Sequence, residues 1–426
     1  MSVPNGTIPD PVPDSVRDML WSREFQNNPY PAYDLLRADA SVHRVPTPLG
    51  VDMWVITRYD DVRLALSDPR FTKDPRNAPD ILRKLGVETE GEGLTGRNML
   101  NSDPPEHTRL RGVVTKAFTR RRVEALRPRI QEITDGLLGD LSTTDEVDVI
   151  AAFAFPLPVI VICELMGVPA DRRDEFREWS IAVTTPPHDE ESKQTRKAGT
   201  RALHGFFRDL VERRRPLLDR SVAADAQPDL VSALIVASEE EGRLDLDELI
   251  GTLTLMLVAG HETTVNLIGN GLLALMRHPG QQSLLRERPE LLPGAIEELL
   301  RYDGPVERAT MRVAVEDVEL GGTVIPRGAL ISVAIGAADR DGSRFPGADV
   351  LDVTRRDNQH LASGHGVHYC AGAPLARLEG EIAFGALLRR FAVIEPACPI
   401  EELAWRPGVG SVLRGLLSLP VRLTAS

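Results

Sequence analysis

The 426-residue chain is 42% hydrophobic and 27% charged, without low-complexity tracts or repeats, the composition of a globular protein with a large core. Its formal net charge of −13 disfavours a nucleic-acid partner, because neutralising phosphates needs a basic surface. The chain has only three cysteines, no signal-peptide pattern in MSVPNGTIPDPVPD, and no apolar run longer than that near Leu249 to Gly260; these argue against a disulfide framework, secretion and a membrane span. A cytoplasmic location is expected.

No linker divides the chain, so one globular unit over residues 1–426 is expected, with roughly the first fifteen residues forming an extended Pro- and Gly-rich arm. Val51 to Thr57 reads as a strand. Helical periodicity then dominates from about Glu106 to Tyr302, with starts at Asp103-Pro104-Pro105, Asp171, Asp229 and Asp245 and a stop at His278-Pro279-Gly280. The polar stretch Thr184 to Lys197 reads as one long surface loop. Asp247 to Met276 is apolar nearly all round, as expected of a helix through the middle of the molecule. His261, Glu262, Thr263, Thr264 and Asn266 interrupt it, either as one solvated turn or as a functional site, since ionisable groups inside a core are costly and cluster where chemistry occurs. The threonines could also open a kink. Val313 to Leu320 and Ala329 to Ile335 add β character, which makes the chain mainly α with a small β portion.

The stretch SGHGVHYCAGAPLARLE follows, from Ser363 to Glu379. Gly364, Gly366 and Gly372 permit positive φ and close approach of another group. Leu375, Leu378, Ile382 and Phe391 form a helical stripe, and Pro374 suits a first turn, which places Cys370 just before a helix N-terminus, where a thiolate is favoured. Two chemistries compete. His360, His365, His368 and Cys370 offer four N/S donors for zinc in a metal-stabilised binding protein, although their spacing matches the usual paired-ligand knuckles poorly. The other chemistry is thiolate ligation of haem iron, which connects the glycines, the helix terminus and the polar break in the long helix.

Four motifs in order carry a resemblance to the cytochrome P-450 superfamily of haem-thiolate monooxygenases, in its bacterial class, over nearly the full chain: AGHETT, Glu298-Leu-Leu-Arg301, DVTR and HLASGHGVHYCAGAPLARLE. The resemblance implies the family fold, with the long central helix crossing over the haem, and haem b (iron protoporphyrin IX) as cofactor. It implies Cys370 as axial iron ligand, with Gly364 and Gly366 in the cofactor loop. Glu262 and Thr263 match the family's acid–alcohol pair, which handles protons during oxygen activation. His107 and Arg111 in DPPEHTRLR, with Arg312 and His368, match propionate partners. Glu298, Arg301 and Arg355 match a structural charge network to which DVTR also contributes Asp352. The chain departs from the family at Ser363, where phenylalanine is usual, and at Ala371, where a larger apolar residue is common. A more polar thiolate pocket is the expected consequence.

The implied activity is insertion of one oxygen atom from O2, by hydroxylation or epoxidation, into a medium-to-large natural product such as a polyketide or macrolide. Substrate walls are implied from Phe71–Leu100, Phe176–Phe207, Leu253–Thr264, Val306–Thr310 and the turn at Ser411-Val412. Without a flavin or iron–sulfur signature, electrons are expected from a separate ferredoxin and ferredoxin reductase. The basic run Lys116, Arg120, Arg121, Arg122, Arg127 and Arg129 is a docking candidate or a solvated helix face. A monomer is expected. The alternative is a non-oxygenating haem or zinc-stabilised binding protein that uses the His/Cys loop 360–370; the haem form of it would be expected to lack the acid–alcohol pair.

Overall fold

A computed structural model describes residues 7–48, 50–77, 97–141, 146–184, 189–241, 244–406 and 412–425. The helices that build the site are α1 (Tyr59–Ser67), α2 (Glu106–Ala117), α3 (Arg173–Thr184), α4 (Glu190–Arg214), α5 (Leu246–Arg277), α6 (Leu292–Asp303) and α7 (Ala373–Arg390). The strands are β1 (Val42–Pro46), β2 (Asp52–Ile56), β3 (Phe71–Thr72), β4 (Glu146–Asp148), β5 (Arg312–Ala314), β6 (Val318–Leu320), β7 (Thr323–Ile325), β8 (Leu330–Val333), β9 (Phe391–Pro396) and β10 (Pro420–Ala425). A five-stranded sheet runs β1-β2-β8-β5-β3, with β2 and β8 parallel and the other neighbours antiparallel. A three-stranded sheet β4-β10-β9 and the hairpin β6-β7 complete the β portion. The mainly α expectation therefore holds.

Helix α5 is the axis of the largest hydrophobic cluster. Its start is set by Asp245, whose side chain accepts from the Glu248 N–H while Glu248 accepts from the Asp245 N–H, a reciprocal cap at the predicted position. The helix is continuous through His261 to Thr264. Each predicted strand segment contains a strand, although Val313 to Leu320 divides into β5 and β6, which belong to different sheets. The predicted stop at His278-Pro279-Gly280 is a junction, because a new helix begins at Pro279.

Two expectations are corrected. Thr184 to Lys197 is not one loop: α4 starts at Glu190, capped by Asp189, which accepts from the Ser192 N–H at 2.8 Å while Ser192 Oγ accepts from the Asp189 N–H. Its first turns are polar because they are mostly exposed, which hides the helical period. Phe391 is not part of the α7 stripe but the first residue of β9. The Ser411 wall position, most of the 78–100 wall segment and the start of the N-terminal arm lie outside the described residues. Among the described residues no helix is long and apolar enough to cross a membrane.

Candidate active site

Between Glu248 and Leu275 of α5, Met256, Ala259, Gly260 and Thr263 alone are not buried. Their spacing of three, four and seven puts them on one face, so the most enclosed helix opens along a single accessible stripe. Thr263 lies on that stripe, with its Oγ1 donating to the Ala259 carbonyl at 2.9 Å and its lone pairs left over. Its neighbours His261, Glu262, Thr264 and Asn266 are buried, which rules out the solvated-turn reading.

Glu262 is gripped from three directions. Thr184 Oγ1 donates to Oε1 at 3.0 Å, Arg406 Nη1 lies 2.7 Å from Oε2, and His261 Nε2 lies 3.7 Å from Oε1. Burial alone pushes this carboxyl up, but His261, Arg406 and Thr184 outweigh it and hold it at about 2. His261 is itself fixed, with Nδ1 2.9 Å from the Leu257 carbonyl and Nε2 3.0 Å from Ser180 Oγ. Arg406 and Thr184 were invisible as Glu262 partners in the sequence, because they stand 144 and 78 positions away.

Cys370 is exposed, although the protein around it is dense enough to push its thiol up. Pro374 occupies the first turn of α7, as expected. Burial pushes the thiol up, and the Gly372 and Ala373 N–H groups, with Arg111 and Arg377, oppose that rise without cancelling it. The helix terminus alone therefore does not lower this thiol. Gly364 and Gly366 take φ of 75° and 73°, whereas Gly372 does not take positive φ. What approaches Gly366 is the end of α1: a Cβ there would lie 3.0 Å from Ser67 Cβ. The Ser363 carbonyl accepts from the Cys370 N–H at 2.9 Å.

Five cationic or imidazole side chains converge beside this loop. His107 of α2 is buried, its ring centroid 4.3 Å from that of His368. Arg111, one turn on, donates to the Tyr369 carbonyl at 2.8 Å. Arg312 of β5 donates to the Phe71 and Leu66 carbonyls at 3.3 and 3.1 Å. Lys73, which the sequence reading missed, completes the group from the segment after β3. Burial first, and these neighbours next, depress His368 to about 2 and Lys73 well below its ordinary value, while burial alone brings Arg312 down to about 10. Both ring nitrogens of His107 and Nε of Arg312 are buried without a hydrogen-bond acceptor. A largely buried cluster of donors that weaken one another's charge fits an anionic group, and two propionates match it in kind.

Glu298 and Arg301 are 0% exposed and joined twice at 2.8 Å. Arg355 Nε, Asn358 Nδ2 and the Asp352 N–H also donate to the Glu298 carboxylate, and Arg301 reaches the carbonyls of Asp339, Ala348 and Val350. The predicted network is thus assembled.

The zinc reading does not survive. His360 is committed to Glu297 at 3.1 Å and to the Ala362 N–H, and among the described residues no three His, Cys, Asp or Glu side chains group to hold a metal. Nor is the basic run a single-signed surface. Arg121 meets Asp225, Arg122 caps three carbonyls, Arg127 meets Glu124, and Arg129 meets Glu132 and Glu164.

Helices α5 and α7 also share Glu379, which lies fully buried beside Thr264 with Oε2 unpartnered. Burial raises this carboxyl to about 8, and Thr264 only partly offsets it. The native state therefore holds a proton that the unfolded chain releases above its ordinary carboxyl range, so stability falls as pH rises from about 4.5 toward 8. Glu379→Gln should remove this dependence, gaining up to roughly 4 kcal/mol over the wild type at pH 8.5 relative to pH 5. Urea midpoints at the two pH values measure it; a difference that does not change with pH would contradict the assignment.

A largely buried helix opened along one stripe, an accessible cysteine at the start of a second helix and a largely buried cationic cluster beside it define an oxygenase-type haem-thiolate architecture. The cytochrome P450 family pattern matches residues 47–409, and the chain belongs to that family. It is 47% identical over 412 residues to cytochrome P450 107B1 of Saccharopolyspora erythraea, covering 96% of this chain and 98% of that protein. It is 42% identical to the 6-deoxyerythronolide B hydroxylase of the same organism, covering 97% and 99%. The crystal structure of myxobacterial CYP267B1 with myristic acid superposes with a TM-score of 0.87 at 40% identity, covering 95% and 98%. The chain is a P450 monooxygenase, and the family implies a haem cofactor, a small-molecule substrate and a source of electrons outside the chain.

Proposed function

We propose that this chain is a single-domain, monomeric, cytoplasmic monooxygenase that holds haem b through Cys370 and hydroxylates or epoxidises a medium-to-large polyketide or macrolide. The observation that carries this reading is the combination of the exposed Cys370 with the cluster of Lys73, His107, Arg111, Arg312 and His368 beside it, in which both ring nitrogens of His107 and Nε of Arg312 lack a partner. The hydroxylase relative, whose name specifies a macrolide precursor, supports the substrate class. Bound haem supplies reductive activation of O2, chemistry that no side chain provides.

The chain's own residues position and protonate. His107, Arg111, Arg312, His368 and Lys73 would meet the propionates. Thr263 Oγ1, spent as a donor on Ala259, is free to accept and so to hold a water on the accessible stripe. Glu262, ionised in its grip, is the proton carrier: released from Arg406 it can take a proton at Oε2 and hand it toward that water. His261, Glu262 and Thr264 are buried on the same turn, which leaves the Thr263 stripe as its one open face. Electrons would come from a ferredoxin and its reductase. Val367 and Tyr369, 54% and 44% exposed on the cysteine loop with Arg111 beside them, offer a docking face, whereas three arginines of the basic run meet carboxylates.

The test is the absorption spectrum of the purified protein, reduced and bound by carbon monoxide, with metal analysis of the same sample. One iron per chain and a strongly red-shifted Soret band are expected. A colourless protein that carries zinc would overturn the proposal.

A further inference from the structure

Helix α5 carries a column of polar side chains on one buried face. Glu262, Asn266 and Asn270 recur every fourth residue, which sets them one above another. Asn270 has a structural task, its Nδ2 donating to the Asp303 and Arg414 carbonyls at 3.2 and 3.1 Å. Asn266 has none: it is 1% exposed, and neither Oδ1 nor Nδ2 has a hydrogen-bond partner among the described residues. Glu262 Oε2, in ion-pair contact with Arg406 at 2.7 Å, is likewise buried and accepts no hydrogen bond. Three orphaned polar atoms on adjacent turns are costly in a core unless a molecule that both donates and accepts joins them.

Arg406 and Gly415 close over this column. They face each other, the Arg406 N–H donating to the Gly415 carbonyl at 2.9 Å. Arg406 reaches Glu262, and Gly415 takes Asn266: a Cβ at 415 would collide with Asn266 Oδ1, so only glycine lets the carboxamide lie there. A cavity of about 10 Å³, room for one water, is lined by Arg406 and Gly415 together with Glu307 and Arg414. The Arg406 side chain is 25% exposed, which gives this side of Glu262 an outlet to solvent. Beyond the other carboxylate oxygen, His261 and Ser180 are 0% and 1% exposed.

We propose that Asn266 holds a water against Glu262 Oε2, and that protons enter the site through this water from the cavity beside Arg406. Side chains four residues apart on a helix stand about 5–6 Å apart, a span that one water closes with two hydrogen bonds of about 2.8 Å. The carboxamide suits the task because Oδ1 accepts and Nδ2 donates, so the water keeps a hydrogen to give to the carboxylate. When Arg406 moves off Oε2, the water passes that proton to the oxygen and regains one from the cavity, and the net change is one solvent proton on Glu262. Asn266 is thus a positioning residue. The inference rests on reading Glu262 as the proton carrier of the monooxygenase.

Two measurements on the haem-loaded protein test the route. A crystal structure at a resolution that shows ordered water should place one between Asn266 and Glu262 Oε2, absent from Asn266→Leu and retained in Asn266→Ser. Oxygen consumption driven by NADPH, a plant-type ferredoxin and its reductase is then divided between its two products: release as peroxide takes two electrons and two protons, and reduction to water takes four of each. Asn266→Leu should raise the ratio of peroxide to water by roughly 10-fold and enlarge the solvent deuterium isotope effect, with Asn266→Ser close to the wild type. A wild-type site without that water, a leucine variant with the wild-type ratio, or a shift that the serine variant shares would overturn the route. The two readings fail separately. Any of those results beside a normal carbon-monoxide spectrum refutes the Asn266 water alone, whereas a protein without thiolate-bound haem refutes the monooxygenase reading and the route with it.

Discussion

Glu298→Ala is expected to unfold much of the protein or to yield a chain that cannot be purified with haem. The carboxylate it removes receives two donors from Arg301 and one each from Arg355, Asn358 and the Asp352 N–H, in a site with no access to water. Removing one member of a buried ion pair costs about 3–5 kcal/mol, because the remaining charge stays desolvated and unmatched, and that is a large share of the stability of a typical domain. Arg301 is left with three carbonyls and no counter-charge. Pairing Glu298→Met with Arg301→Leu should not rescue the fold, unlike many exchanges of buried ion pairs for apolar residues, because the carbonyls of Asp339, Ala348 and Val350 lose their donor. Urea denaturation of the single and double variants measures both effects. A single variant within 1 kcal/mol of the wild type would show the network to be dispensable.

Cys370→Ser should have the opposite profile, with an intact fold and a lost function. The hydroxyl keeps the size of the thiol and can use the same Gly372 N–H, so stability should change by no more than about 1 kcal/mol. The reduced, carbon-monoxide-bound protein should lose its red-shifted band completely, and oxygen insertion should stop, because serine cannot supply the axial thiolate that favours O–O cleavage. The spectrum and the circular dichroism of one preparation distinguish these outcomes. A serine variant that keeps the shifted band would assign the ligand elsewhere. The cationic cluster gives a cross-check, since His107→Ala and Arg312→Ala should loosen haem without moving the band of the haem that remains.

Much of this site was visible in one dimension. Asp245 before an apolar run, Pro374 after Cys370, and the polar residues inside α5 each act through near neighbours, and local backbone chemistry gives them the same meaning in any fold. The start of α4 was missed although Asp189 and Ser192 carry its cap, because an exposed polar helix has no apolar period to see. Phe391 continued the α7 pattern, but pairing with Ala425 drew it into β9.

The sequence by itself determined the helix-rich class, the central helix and the motifs that mark the candidate site, since these follow from period, capping and residue type. Only the tertiary structure decided which of them meet. It placed Arg406 and Thr184 on Glu262, Lys73 among the cations around His368, Glu379 beside Thr264, and His360 on Glu297 rather than on a metal. It also showed that burial outweighs the helix terminus at Cys370. The reason is physical: charge, desolvation and accessibility depend on what lies within a few ångströms in space, and chain spacing does not encode that distance.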